Sequence, residues 1–136
     1  MNILSENIPR KAQLLIVLFS LFLSGCSASR HISSQALSEK IERQDPLLII
    51  DTRSRYEFNK GHITGAVHIP FWKSPFIKES SLNCNDKMVV IYCEHGPRAG
   101  VARFFLEGEL CPDIYYLQGH LKGWKQQDLP LHSSKP

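Results

Sequence analysis

The chain has 136 residues, 16 Lys and Arg against 13 Asp and Glu, a formal net charge of +3 and 43% hydrophobic residues. That length suits one small domain around one core. The near balance of charge, with no basic block and no interleaving of aromatic and basic residues, offers nothing to a nucleic-acid partner. There are no internal repeats and no low-complexity tract.

Residues 1–25 read as a leader rather than as part of the fold. Arg10 and Lys11 precede an apolar run, Leu14 to Leu23. The run is too short for a bilayer-spanning helix, which needs about 20 residues, but it suits the core of a signal peptide. It ends in Leu23-Ser24-Gly25-Cys26, which resembles the lipobox of bacterial lipoproteins. That resemblance implies cleavage before Cys26 and acylation of that cysteine. The other readings are an uncleaved signal anchor or ordinary cleavage nearby. Several acyl chains anchor firmly where one binds only marginally, so Cys26 is read as a lipid attachment point. Ser27, with no Asp in its place, leans towards the outer membrane by resemblance to enteric lipoprotein sorting, with the domain facing the periplasm. Residues 26–32 are then a lipidated tether, 33–131 the domain and 132–136 a tail.

Within the domain, the pattern predicts a helix over 34–43, capped by Ser33 or Ser34 and stopped by Asp45-Pro46. Leu47-Leu48-Ile49-Ile50 is a continuous apolar run, the sign of a strand covered on both faces. Asp51-Thr52-Arg53 follows, then a short helix over 54–60 closed by Gly61. Residues 65–70 read as a turn into a brief strand ended by Pro70. Residues 71–85 form a longer connection with a helical turn near 75–81. Met88 to Tyr92 is the next strand, and the helix that begins at Ala99 shows an apolar stripe at Val101, Ala102, Phe105 and Leu106. A strand over 114–117 and a turn with a closing helix over 119–127 complete the chain. Strands alternating with helices define an α/β domain, a mostly parallel central sheet with helices on both faces. Ligands in such sheets bind beyond the carboxyl ends of the strands. Both Asp51-Thr52-Arg53 and Cys93 leave strands at that end.

The loop Cys93-Glu94-His95-Gly96-Pro97-Arg98 joins the central strand to its helix. The open amides and partial positive charge of a helix start favour an anion, and Arg98 pushes the same way, so Cys93 is placed to act as a thiolate nucleophile. Gly96 and Pro97 in so short a loop imply a tightly specified backbone. The plainer reading is a small buried hydrophobe at a strand end.

These residues resemble the rhodanese-like sulfurtransferases in single-domain form. Asp51-Thr52-Arg53 is similar to that family's first signature. Glu57, Gly61-His62-Ile63-Thr64-Gly65-Ala66 and Ile69-Pro70 are similar to its second. Cys93 to Arg98 resembles its active-site loop, and Gly119 with Trp124 its closing segment. Two positions depart from the pattern: His120 follows Gly119 where a second glycine is usual, and Ala99 follows Arg98 where serine is common. The resemblance implies transfer of a sulfane sulfur through a Cys93 persulfide, from a small sulfur-containing anion such as thiosulfate to a thiol or cyanide acceptor. Arg98, Glu94, His95, Gly96 and Pro97 would surround the substrate, with no cofactor and no metal. His62, His68 and His95 do not have the spacing of a metal-ligand set. Arg53 has two readings, reaching the mouth of the site or pairing with Glu57 one helical turn later. Asp51 reads as structural, His62 as a packed turn residue, Glu94 and His95 as solvated, and Trp124 and Phe71-Trp72 as core or pocket-wall aromatics.

The rival chemistry is a cysteine-dependent phosphatase or arsenate reductase on the same fold. The phosphatase loop has five residues between cysteine and arginine, whereas Glu94 to Pro97 make four. A non-catalytic, envelope-anchored binding module is the third alternative, although such domains often lose the nucleophile. If the strands after Cys84 and Cys111 are neighbours, as in the resembling family, both cysteines lie at the sheet edge opposite Cys93. An oxidising compartment favours their pairing, and two separate half-buried cysteines are the alternative.

Overall fold

The computed structural model describes residues 30–78, 81–108 and 110–133. The leader and Cys26 lie outside the described residues. Five strands form one parallel sheet: β1 His31–Ile32, β2 Leu47–Asp51, β3 Val67–His68, β4 Met88–Tyr92 and β5 Ile114–Leu117, in the order β1-β5-β4-β2-β3. Among the described residues four α-helices accompany them: α1 Ser34–Glu42, α2 Arg55–Lys60, α3 Pro97–Leu106 and α4 His120–Gln126. The continuous apolar strands have the expected cause. Leu48, Ile50, Val89 and Ile91 point to one face and pack with Ala99, Ala102 and Leu106 of α3. Ile49, Val90 and Tyr92 point to the other and pack with Leu37 of α1 and with Leu121 and Trp124 of α4. Successive strand residues alternate faces, so a strand buried on both must be apolar throughout.

Local capping sets the helix starts. Ser33 accepts the Ala36 amide at the head of α1. Ser54 and Glu57 form a reciprocal capping box at the head of α2, and Gly61 follows its end.

The structure corrects several expectations. His31 and Ile32, read as tether, are an edge strand paired with Tyr116 and Leu117. His132, read as tail, forms an antiparallel bridge with His62. The helical turn of the long connection is a 3-10 helix over Phe71–Phe76, earlier than predicted. The amide of Phe71 donates to Thr52 O, which draws the start of this segment to the carboxyl end of β2. Helix α3 starts at Pro97, and its buried face is Ala99, Ala102, Arg103 and Leu106. Val101 and Phe105 are 45% and 44% exposed, so half of the predicted stripe faces outward. Trp124 is core as expected, but Trp72 is exposed. Cys84 and Cys111 are bonded as a disulfide with Cα atoms 5.4 Å apart, just ahead of the neighbouring strands β4 and β5.

Candidate active site

The carboxyl ends of β2 and β4 are in register, Asp51 beside Tyr92, so the two segments that follow them emerge together. Thr52 ties them: its amide and its hydroxyl both donate to Tyr92 O, at 3.0 and 2.9 Å. Cys93 comes next. It is 1% exposed and is the free cysteine among the described residues. Its Sγ accepts the Gly96 N–H at 2.9 Å, so the loop closes back on the sulfur. Gly96 makes this turn at φ +128°, a backbone conformation that side chains rarely adopt. Pro97 then opens α3 as its first residue, where the missing N–H costs nothing. The amides of Arg98 and Ala99 belong to the helix start and have no intrahelical acceptor. The first turn of α4 holds the loop from the other side, with Leu121 N–H donating to Cys93 O and Lys122 N–H to Glu94 O.

Arg98 is engaged by a residue from another element. Its two terminal nitrogens donate to the two oxygens of Glu57 at 2.7 and 2.8 Å. The Arg98 hydrogen bonds hold the Glu57 carboxyl far below the usual carboxylate range, against the cost of burial, and Ser54 adds to the effect. Arg98 is raised in turn, by Glu57 first and, to a lesser extent, by its nearness to Cys93. The guanidinium therefore lies near both Glu57 and Cys93. The capping box was visible in the sequence as Ser54-x-x-Glu57, but its link to Arg98 crosses 41 residues and has no local signal.

Of the two expectations for Arg53, the pairing with Glu57 is not the one realised: the residue reaches the loop through Glu94. It is 2% exposed, and its guanidinium is fixed by Asp51, with Nη2 at 2.6 Å from Oδ2, and by Gly61 O at 2.7 Å. Burial pulls its pKa down, but the hydrogen bonds and charge of Asp51 outweigh this and leave it raised. It does not pair with Glu57. Asp51 has the structural role expected, accepting also the Arg53 amide at 2.9 Å. Glu94, read as solvated, bridges Arg53 Nη1 at 3.4 Å and Lys125 Nζ at 2.9 Å. Beside the loop, Arg53, Glu57, Lys60, Glu94, Lys125 and Leu131 line a shallow hollow of about 160 Å³. His95 is exposed, as expected. His62 is a packed residue, its Nδ1 2.9 Å from Phe58 O and its ring stacked on Phe58. Among the described residues no group of His, Cys, Asp and Glu could hold a metal ion.

Residues 33–127 match the family of the Rhodanese-like domain. The chain belongs to that family. It is 30% identical over 100 residues to a sulfurtransferase of Allochromatium vinosum, covering 74% of this chain and 92% of that one. It is 35% identical over 102 residues to a tRNA uridine(34) hydroxylase of Staphylococcus aureus, covering 66% of this chain but only 31% of the hydroxylase. Against two further curated relatives it spans 53% and 59% of their length. Among solved structures, a rhodanese-like domain protein of Staphylococcus aureus superimposes with a TM-score of 0.61 at 27% identity, covering 70% of this chain and 90% of that one.

Proposed function

We propose that the chain is a sulfurtransferase that moves a sulfane sulfur from a donor such as thiosulfate to a thiophilic acceptor through a Cys93 persulfide. The observation that carries this reading is the Cys93 sulfur enclosed by its own loop, 2.9 Å from the Gly96 amide and ahead of a helix start. The Cys93 thiolate attacks the outer sulfur of thiosulfate, the S–S bond breaks, and sulfite leaves with the electron pair. The terminal sulfur of the persulfide carries the negative charge, and converging loop amides stabilise it. A thiolate or cyanide then attacks that sulfur and Cys93 recovers its electrons. Against a phosphatase stands the loop itself, which has four residues between Cys93 and Arg98 where the phosphatase loop has five.

The reading extends to the cell envelope, with Cys26 as the lipid attachment point and the domain in the periplasm, on the outer membrane. Leu23-Ser24-Gly25-Cys26 supports it, and so does the Cys84–Cys111 disulfide, a bond at home in an oxidising compartment. The test is thiocyanate formation from thiosulfate and cyanide, with the mass of Cys93 read after donor alone. Wild type should turn over and gain one sulfur atom at Cys93; equal rates in wild type and Cys93→Ala would end the proposal.

A further inference from the structure

His120 takes no part in the reaction written above, yet it lies against the loop that performs it. Its Nδ1 is 3.5 Å from the Cys93 amide, which donates to it. Its Nε2 would stand 3.0 Å from a Cβ built on Gly96, so the imidazole occupies the space that the bare glycine leaves. The ring thus touches the two positions that set the sulfur, Cys93 itself and the residue whose N–H donates to Sγ. His120 also adopts φ +51°, a conformation that costs a side-chain-bearing residue energy and that glycine would adopt freely.

We propose that His120 is a positioning residue: in its neutral form it accepts the Cys93 N–H and packs on Gly96, and its protonation loosens the nucleophile loop. The chemistry is that of one nitrogen. Accepting the Cys93 amide requires a lone pair on Nδ1, which places the proton of the neutral ring on Nε2. An imidazolium has a proton on both nitrogens, so it would set N–H against N–H at Cys93. The groups facing the ring are His31 of β1, Tyr116 of β5, and His95 and Cys93 of the loop. Burial first, then the His31 and His95 charges, hold His120 below the ordinary 6.5, which favours the neutral form. The loosening therefore occurs below pH 6.5.

The inference concerns the loop used by the proposed reaction, but alkylation of Cys93 tests it without requiring sulfur transfer. The rate of iodoacetamide modification, read by mass at Cys93, is followed from pH 4.5 to 9 in the full chain, beside kcat/KM for thiosulfate. Wild type should show a second ionisation below pH 6.5 besides that of the thiol. His120→Gly should lose it, and kcat/KM at neutral pH should fall by about tenfold or more, as expected for a misplaced reacting group. His120→Asn keeps an acceptor and tolerates a positive φ; it should lose the ionisation and restore most of the rate that glycine loses. Persistence of the second ionisation in His120→Asn overturns the proposal, as does unchanged turnover in His120→Gly. Should a variant not fold, 15N chemical shifts of wild-type His120 decide: a protonated Nδ1 at pH 7.5 overturns it, an unprotonated one supports it. Alkylation profiles as expected without any thiocyanate would retain the positioning role and remove the sulfurtransferase reading.

Discussion

The proposed reaction divides the residues around Cys93 into one that would react and several that hold. Replacing sulfur by oxygen in Cys93→Ser changes little volume, so transfer should vanish while stability stays within about 1.5 kcal/mol of wild type; a large loss of cooperative unfolding in urea would instead make the thiol structural. Arg98 depends on shape as well as charge, because it meets both oxygens of Glu57. Lysine cannot span that fork, so Arg98→Lys should lower kcat/KM for thiosulfate by about tenfold or more. Unchanged turnover would leave anion binding to the amides alone. The same pair makes a statement about pH. Glu57 and Glu107 both have carboxyl pKa values lowered from the ordinary 4.5, chiefly by hydrogen bonds from Arg98 and Arg103. A lowered acid contributes stability above its unfolded value and loses it as pH falls through the folded one. The urea midpoint should therefore fall in two stages as pH drops: first below about pH 6.5, where the unfolded chain protonates His120 more readily than the fold does, and further below pH 4.5, where these carboxylates titrate. Glu57→Gln should flatten part of the second stage at a cost of about 1 kcal/mol or less, since the pair is partly solvated.

At the scale of elements, α3 is where pattern and structure part. Two overlapping arcs of this helix carry apolar residues, and the sequence favoured the one containing Val101 and Phe105. The other arc wins because Arg103 can be buried on it: its guanidinium lies 4.7 Å over the Tyr116 ring and pairs with Glu107. Long cationic side chains cover apolar surface with their stems, which hides them from a count of hydrophobic residues. Leu106→Ala should cost about 2–5 kcal/mol, whereas Val101→Ala should change stability by no more than about 0.5 kcal/mol beyond helix propensity. Urea melts showing the reverse order would restore the predicted stripe. The 3-10 segment was misplaced for a related reason, since its start is set by the Phe71 bond to Thr52 rather than by its own residues.

For the molecule as a whole, the sheet separates the candidate site from the bracing. Cys93 leaves the carboxyl end of β4, while Cys84 and Cys111 are joined ahead of β4 and β5, at the opposite end. The bond closes a separation of 27 residues, worth roughly 3–4 kcal/mol in the chain-entropy account. Replacing both cysteines by serine should remove stability of that order and leave thiocyanate formation at wild-type rate at a temperature where the variant is folded. A proportionate loss of turnover would mean that the far end of the sheet is coupled to the loop.

What the sequence determined by itself was local: the apolar runs Leu47–Ile50 and Met88–Tyr92, the capping serines, the Gly-Pro loop and the cysteine at its head. Each is written within a few consecutive residues, where steric and hydrogen-bonding preferences act directly. A two-residue strand such as His31–Ile32 is too short to carry a period, and only its partner β5 makes it a strand. The tertiary structure alone decided the rest: that Arg98 meets Glu57, that Arg53 turns to Asp51 and Glu94, that Cys84 meets Cys111, and that His120 reaches the Cys93 amide. All but the Arg53–Asp51 pair join residues 27 to 41 apart, brought together by the parallel crossovers of the sheet, and charge or residue type along the chain does not encode which partner the fold presents.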